Sequence, residues 1–124
     1  MPVRNVIVSD NYILVWGKDQ TPFKLFDKAG TFLANVGAFG QGPGEYQLIY
    51  DAQIDEDGGR IYLLPWNAKS LLAYDLKGQA VQSIPLPGLV PKGVFKVNTK
   101  DSLLSVFLLP FEYLPYIAWT QKFN

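Results

Sequence analysis

Short apolar runs, many alternating with polar residues and each closed by turn chemistry, recur along the chain and predict strands throughout. Val6 to Val8 is β-branched, and Ser9-Asp10-Asn11 behind it is turn-forming. Ile13 to Trp16 follows, closed by the polar stretch 17–22, and Phe23 and Leu25 then alternate about Lys24 as in a half-buried strand. Asp27-Lys-Ala-Gly30 places Asp first and Gly fourth, the preference of a type I turn, so the chain reverses into 31–36. Further on, "EDGGR" (56–60) supplies an Asp-Gly hairpin signal between Ile54 and Ile61, and Asp75-Leu-Lys-Gly78 repeats the Asp/Gly turn. No helix-length segment carries a 3.6-residue period with caps.

These elements repeat. Displaced by 48 residues, "ILVW" (13–16) falls on "IYLL" (61–64), "KLFDKAG" (24–30) on "LAYDLKG" (72–78), and more loosely "VIVSD" (6–10) on "IDEDG" (54–58). A fainter third unit runs through "GVFKV" (93–97) and "LLSVFLL" (103–109), at a spacing of 42 from Ile61, with "YIAW" (116–119) as its third strand. The units fall at about 6–46, 47–92 and 93–124. Four short strands per unit, joined by tight turns, is the pattern of a β-propeller blade. The expectation is an all-β single domain of antiparallel four-stranded blades, an incomplete ring of just under three.

The order "LFDKAG…VGAFGQGPGEY…IDEDGGRIYLLPWNAKSLLAYDLKG" resembles the six-bladed NHL-type β-propellers abundant in gut Bacteroidetes. It covers residues 6–85 well and 86–124 poorly, since the second link, "IPLPGLVPKG" (84–93), lacks the glycine-rich form of "GAFGQGPGEY" (37–46). "LLPWN" (63–67) also departs from the family's usual pattern, with Pro65 more typical of an edge position. The resemblance implies export to the cell envelope, although the start of the chain has no signal-peptide pattern.

Composition narrows the chemistry. With 48% hydrophobic and 18% charged residues the chain is globular, and eleven basic against eleven acidic residues leave no net field for nucleic acid. Lys92, Lys96 and Lys100 read as ordinary solvated positions in a strand-rich context. The run 103–119 is interrupted by Pro110, Glu112 and Pro115 and falls short of a membrane helix; its "LPFEYLP" is expected to be a connection. The absence of Cys and His removes thiolate and His-based nucleophilic machinery together with the commonest transition-metal ligand.

Two readings compete at most of the remaining motifs. Gly37, Gly40, Gly42 and Gly44 could form a nest for an anion, but Pro43 removes a donor, Glu45 repels phosphate, and no Gly-Lys-Ser/Thr follows. They are expected to be the seam between units, as Asp27, Gly30, Asp75 and Gly78 are expected to be turns. Asp55 to Gly59 opens like a calcium loop, yet the twelfth position is Trp66 and the bidentate acid is lacking. Nothing in the spacing of Glu45, Asp51, Asp55, Glu56, Asp57 and Glu112 selects an acid–base pair. Most of the aromatics read as wedges between sheets. Trp66 and Tyr113 are the leading candidate ligand or partner contacts, because they lie in the irregular stretches "LLPWNAKS" and "LLPFEYLPY", and Asn67 and Tyr50 are candidates with them.

The function expected is a non-catalytic binding or scaffold module engaging a protein or glycan; the alternative is part of a propeller enzyme, a lyase or hydrolase acting on a saccharide or lactone. No cofactor or metal is implied. An open run of sheets also predicts either self-association or further blades from a longer chain.

Overall fold

The computed structural model describes residues 3–17, 22–108 and 118–123 and is all-β, with no helix among them. Thirteen strands run in chain order: β1 Val3–Val8, β2 Tyr12–Gly17, β3 Phe23–Asp27, β4 Phe32–Val36, β5 Ala38–Phe39, β6 Glu45–Tyr46, β7 Ile49–Asp55, β8 Arg60–Pro65, β9 Ala68–Asp75, β10 Ala80–Val90, β11 Gly93–Asn98, β12 Leu103–Leu108 and β13 Ala118–Lys122. Three antiparallel meanders result: a first sheet β1-β2-β3-β4, a second β7-β8-β9-β10, and a third β11-β12-β13. The short strands β5 and β6 pair in parallel within the link between the first two sheets.

The second sheet is buried on both faces, which explains why Ile61, Tyr62, Leu63 and Leu64 in β8 are four consecutive buried residues rather than an alternation. Ile61, Leu63 and Tyr74 pack with Leu14, Trp16, Phe23 and Leu25 of the first sheet. Tyr62, Leu64, Leu71 and Ala73 pack with Phe95, Val97, Leu104 and Val106 of the third. Each residue in the first set has its counterpart 48 positions away: Leu14 and Tyr62, Trp16 and Leu64, Phe23 and Leu71, Leu25 and Ala73 all face the following sheet. The repeat is therefore one of side-chain direction as well as of residue type.

In the third unit the register differs from expectation. Leu104, not Leu103, faces the second sheet as Ile61 faces the first, a spacing of 43. A slip of one residue exchanges the faces of a strand, and no Asp-x-x-Gly turn pins the register there. The third strand is Ala118–Lys122, which overlaps the expected 116–119; residues 116 and 117 and the connection 109–115 lie outside the described residues.

The Asp/Gly turns form as expected. Asp27 Oδ1 accepts the amides of Ala29 and Thr31, and Asp75 Oδ1 those of Lys77 and Gln79. Gly30 and Gly78 close these turns at φ 90° and 84°. Gly78 is doubly constrained, because a β-carbon there would strike the Asn35 carbonyl of the first sheet. The Asp57-Gly58 signal lies in a hairpin turn between Ile54 and Ile61, as expected. The loop is four residues, 56–59, closed by Gly59 N–H donating to Glu56 O at 3.1 Å, with Gly59 at φ 66°. Pro65 is not on an edge strand; it ends β8, opposite Ile49. The edge strand β10 carries Pro85 and Pro87 instead, as an unpaired side allows.

Polar side chains join the inner strands. From β7, Asp51 Oδ2 accepts Phe95 N–H at 3.0 Å, Gln53 accepts Val97 N–H at 2.9 Å and donates to Val97 O at 3.1 Å, and Asp55 Oδ2 accepts the Thr99 hydroxyl at 2.5 Å. From Asp51 onward, every second residue of β7 thus reaches the backbone or turn of the third sheet. On the other side Glu56 accepts the Ser9 hydroxyl at 2.7 Å and both the backbone and side-chain nitrogens of Asn11.

Candidate ligand-binding cleft

The meander order sends the hairpin loops 9–11, 56–59 and 99–102 to one end of the strands, while the 76–79 turn meets the start of the link between the first two sheets, Gly78 O accepting Gly37 N–H at 2.9 Å. The inter-sheet link 37–48, the Trp66-Asn67 turn and the Pro91-Lys92 link lie at the other. Irregular connections gather at this second end, where backbone not engaged in ladders is able to serve recognition.

The glycine-rich link has an internal logic. Gly42-Pro43-Gly44-Glu45 is a tight turn closed by Glu45 N–H to Gly42 O at 3.0 Å, with proline second and a positive φ (73°) at Gly44 third, as a type II turn requires. Glu45 folds back so that its carboxylate accepts the Gly42 amide at 2.9 Å. The donor that an anion would use is occupied by the chain's own acid. The link then delivers Tyr46 into the core between the first two sheets. Its hydroxyl donates to Val36 O and accepts Phe23 N–H (2.9 Å), joining β3 to β4. Burial raises its pKa to about 12, partly opposed by the Phe23 amide. Tyr74, edge-on to Tyr46, donates its hydroxyl to Gly44 O at 3.0 Å and is also pushed up by burial. Trp16 stacks on Phe23 at 4.6 Å in the same layer.

Between this link and the β8–β9 turn lies a cleft of about 920 Å³. The link from Gly40 to Leu48 forms one wall, Pro65 to Ser70 the other, and Leu72 and Ser83 part of the floor. Asn67 holds φ 50°, a conformation asparagine adopts more readily than most residues, and its N–H donates to Pro91 O at 3.0 Å. Trp66 N–H donates to Leu48 O at 3.0 Å, so both links clamp the turn. The Trp66 ring is held by the Tyr50 ring, edge-on at 5.2 Å, and by the Lys92 ammonium 5.0 Å from its centroid.

Of the residues singled out in the sequence, Trp66 and Asn67 line the cleft, facing Gly40, Gly42, Pro43, Gly44 and Glu45. Tyr50 does not line it but supports Trp66. Tyr113 lies outside the described residues. Asp27, Gly30, Asp75 and Gly78 are turn residues that do not line the cleft, and Gly78 O accepts Gly37 N–H at 2.9 Å where the link begins. Sequence reasoning passed over Gln41, Gln47, Lys69, Ser70 and Ser83, which line the cleft; as isolated surface polar residues they carry no local signal.

Of the carboxylates, Glu45 lines the cleft with its side chain on the Gly42 amide, while Asp51, Asp55 and Glu56 are engaged elsewhere. Burial raises the Asp51 pKa, opposed by the Phe95 and Ala52 amides, while the Ser9 hydroxyl and the Asn11 donors hold Glu56 below the usual range. Among the described residues no three acidic side chains converge as a metal site would require.

Residues 2–111 match the model of a domain of unknown function, DUF4934. The chain belongs to the DUF4934 family. No curated protein matches it. This DUF4934 chain is similar to the crystal structure of a candidate exported protein from Bacteroides fragilis NCTC 9343, with a TM-score of 0.64 and 22% identity over 86% of this chain. The chain spans 30% of that protein's length, and the likeness is one of fold.

Proposed function

We propose that this DUF4934 chain is an arc of β-propeller blades of NHL type that acts as a non-catalytic binding module. Its ligand is a glycan, taken into the cleft beside Trp66. The observation that carries this reading is the cleft itself: one clamped indole beside the amides and hydroxyls of Asn67, Gln47, Ser70 and Ser83, in a lining that also includes Glu45, Lys69 and the apolar Leu48, Pro65 and Leu72. An aromatic platform beside neutral donors and acceptors suits a sugar ring, which has an apolar face and a rim of hydroxyls. The propeller reading is supported by three stacked meanders with a 48-residue repeat of side-chain direction and glycine-rich entry into the second. The exported character in the neighbour's name supports placing this chain in the cell envelope as well, where glycans are at hand.

An oligosaccharide array followed by calorimetric titration of the hits tests this. Trp66→Ala is expected to weaken binding at least tenfold, about 1.4 kcal/mol, as loss of a central aromatic contact does. Asn67→Gly keeps the backbone conformation while removing the amide, and is expected to weaken binding less. Hits whose affinity is untouched by Trp66→Ala would refute the site.

A further inference from the structure

The first sheet has a second face, turned away from the rest of the chain. Register places Val8, Ile13, Phe26 and Phe32 in one row across its four strands. Phe26 and Phe32 meet edge-on at 5.7 Å, and Val8 and Phe32 are 68% and 50% exposed. The repeat says what such a row is for. Ile13 and Phe26 stand 48 positions before Ile61 and Tyr74, which are fully buried on the matching face of the second sheet, against the first. The exposed row therefore has the composition and position of a sheet-docking face.

The third sheet turns a different face outward. It carries Val94 and Phe107, 37% and 41% exposed, with Lys96 on the inner strand and a Ser105–Thr120 hydroxyl pair at 3.1 Å. Counting by the 43-residue spacing, Lys96 holds the place in β11 that Gln53 holds in β7, and Gln53 is the side chain that grips the backbone of the next inner strand. Lys96 is a donor suited to carbonyls of such a strand.

We infer that a second copy of this chain covers these faces. The outward face of one copy's third sheet docks on the outward face of the other's first sheet, and reciprocally, so that two copies form a closed pair. This contact continues the sheet-on-sheet packing already present twice within the chain, and needs an apolar sheet with a polar inner strand, which the third sheet presents. Because the two faces differ, the contact is head to tail, and closure requires each copy to use both. The inference is independent of what fills the cleft.

Sedimentation equilibrium at micromolar concentration tests it on the chain as it stands. The expected mass is twice 13.9 kDa. Val8→Glu and Phe107→Glu are each expected to weaken association at least tenfold with the far-ultraviolet dichroism of the sheets retained, and Thr120→Arg, at an exposed position, replaces Phe107→Glu if that variant does not fold. Mixing the two variants restores one good contact and so partial association. A monomer at all concentrations, a mass growing beyond two copies, or a pair that survives the third-sheet variants while Val8→Glu abolishes it would each overturn the inference, the last by showing first sheets packed face to face.

Discussion

Replacing Gln53 by alanine tests how the second and third sheets are joined. The Gln53 amide accepts Val97 N–H and donates to Val97 O, at 2.9 and 3.1 Å, in a partly buried position. Alanine leaves both backbone groups of Val97 without these partners. A polar group stranded on partial burial costs about 1–3 kcal/mol, and water entering the shortened site recovers part of that. The net loss expected is about 2 kcal/mol for the two groups together. For a chain of this size that corresponds to a fall in Tm of roughly 6–12 °C. Urea unfolding followed by tryptophan fluorescence should show a lower midpoint with an unchanged slope. Hydrogen exchange adds a local signature, since the Val97 amide should lose more protection than the amides of the first sheet. A change below about 0.5 kcal/mol, with Val97 still protected, would refute the claim that this side chain holds the sheets together.

Three further outcomes follow from the same geometry. Tyr46→Phe should cost about 1–3 kcal/mol in urea unfolding, because Val36 O and Phe23 N–H lose the buried hydroxyl that serves both. Gly78→Ala should destabilise by more than about 2 kcal/mol, since φ is positive and the new methyl meets the Asn35 carbonyl, whereas Gly30→Ala, with open space at its β-carbon, should cost only the conformational part, about 1 kcal/mol. Glu56→Gln addresses pH. The folded-state pKa of Glu56 lies below its ordinary value of 4.5, so its contribution is present above 4.5 and lost as pH falls through the folded value. The stability difference between wild type and Glu56→Gln should therefore shrink as pH drops below 4.5; a constant difference would contradict the assigned role.

Features written in local chemistry were legible in the sequence. The Asp27 and Asp75 turns, the strands of the first two sheets and the seam role of Gly40 to Glu45 all follow from short-range patterns whose physics is contained in four or five residues. Trp66 and Asn67 were visible as candidates because they interrupt a regular repeat. The third unit was legible only in outline: without a turn motif to set register, Leu103 and Leu104 are equivalent in type and only packing separates them. The inter-sheet links of Asp51, Gln53 and Asp55 had no signature, because their partners are mainly backbone atoms 44 residues away. The grouping of Tyr50, Trp66 and Lys92 was hidden for a related reason, since two separate links have to converge at one end of the sheets to form it.

The most direct measurement is a two-dimensional amide NMR titration of the chain with an array-positive oligosaccharide. The proposed site predicts that the Trp66 indole N–H and the Asn67, Lys69 and Ser70 amides shift together, while the Trp16 and Trp119 indoles stay in place. Shifts centred on the hairpin loops at the other end, 56–59 and 99–102, with Trp66 unmoved, would contradict it.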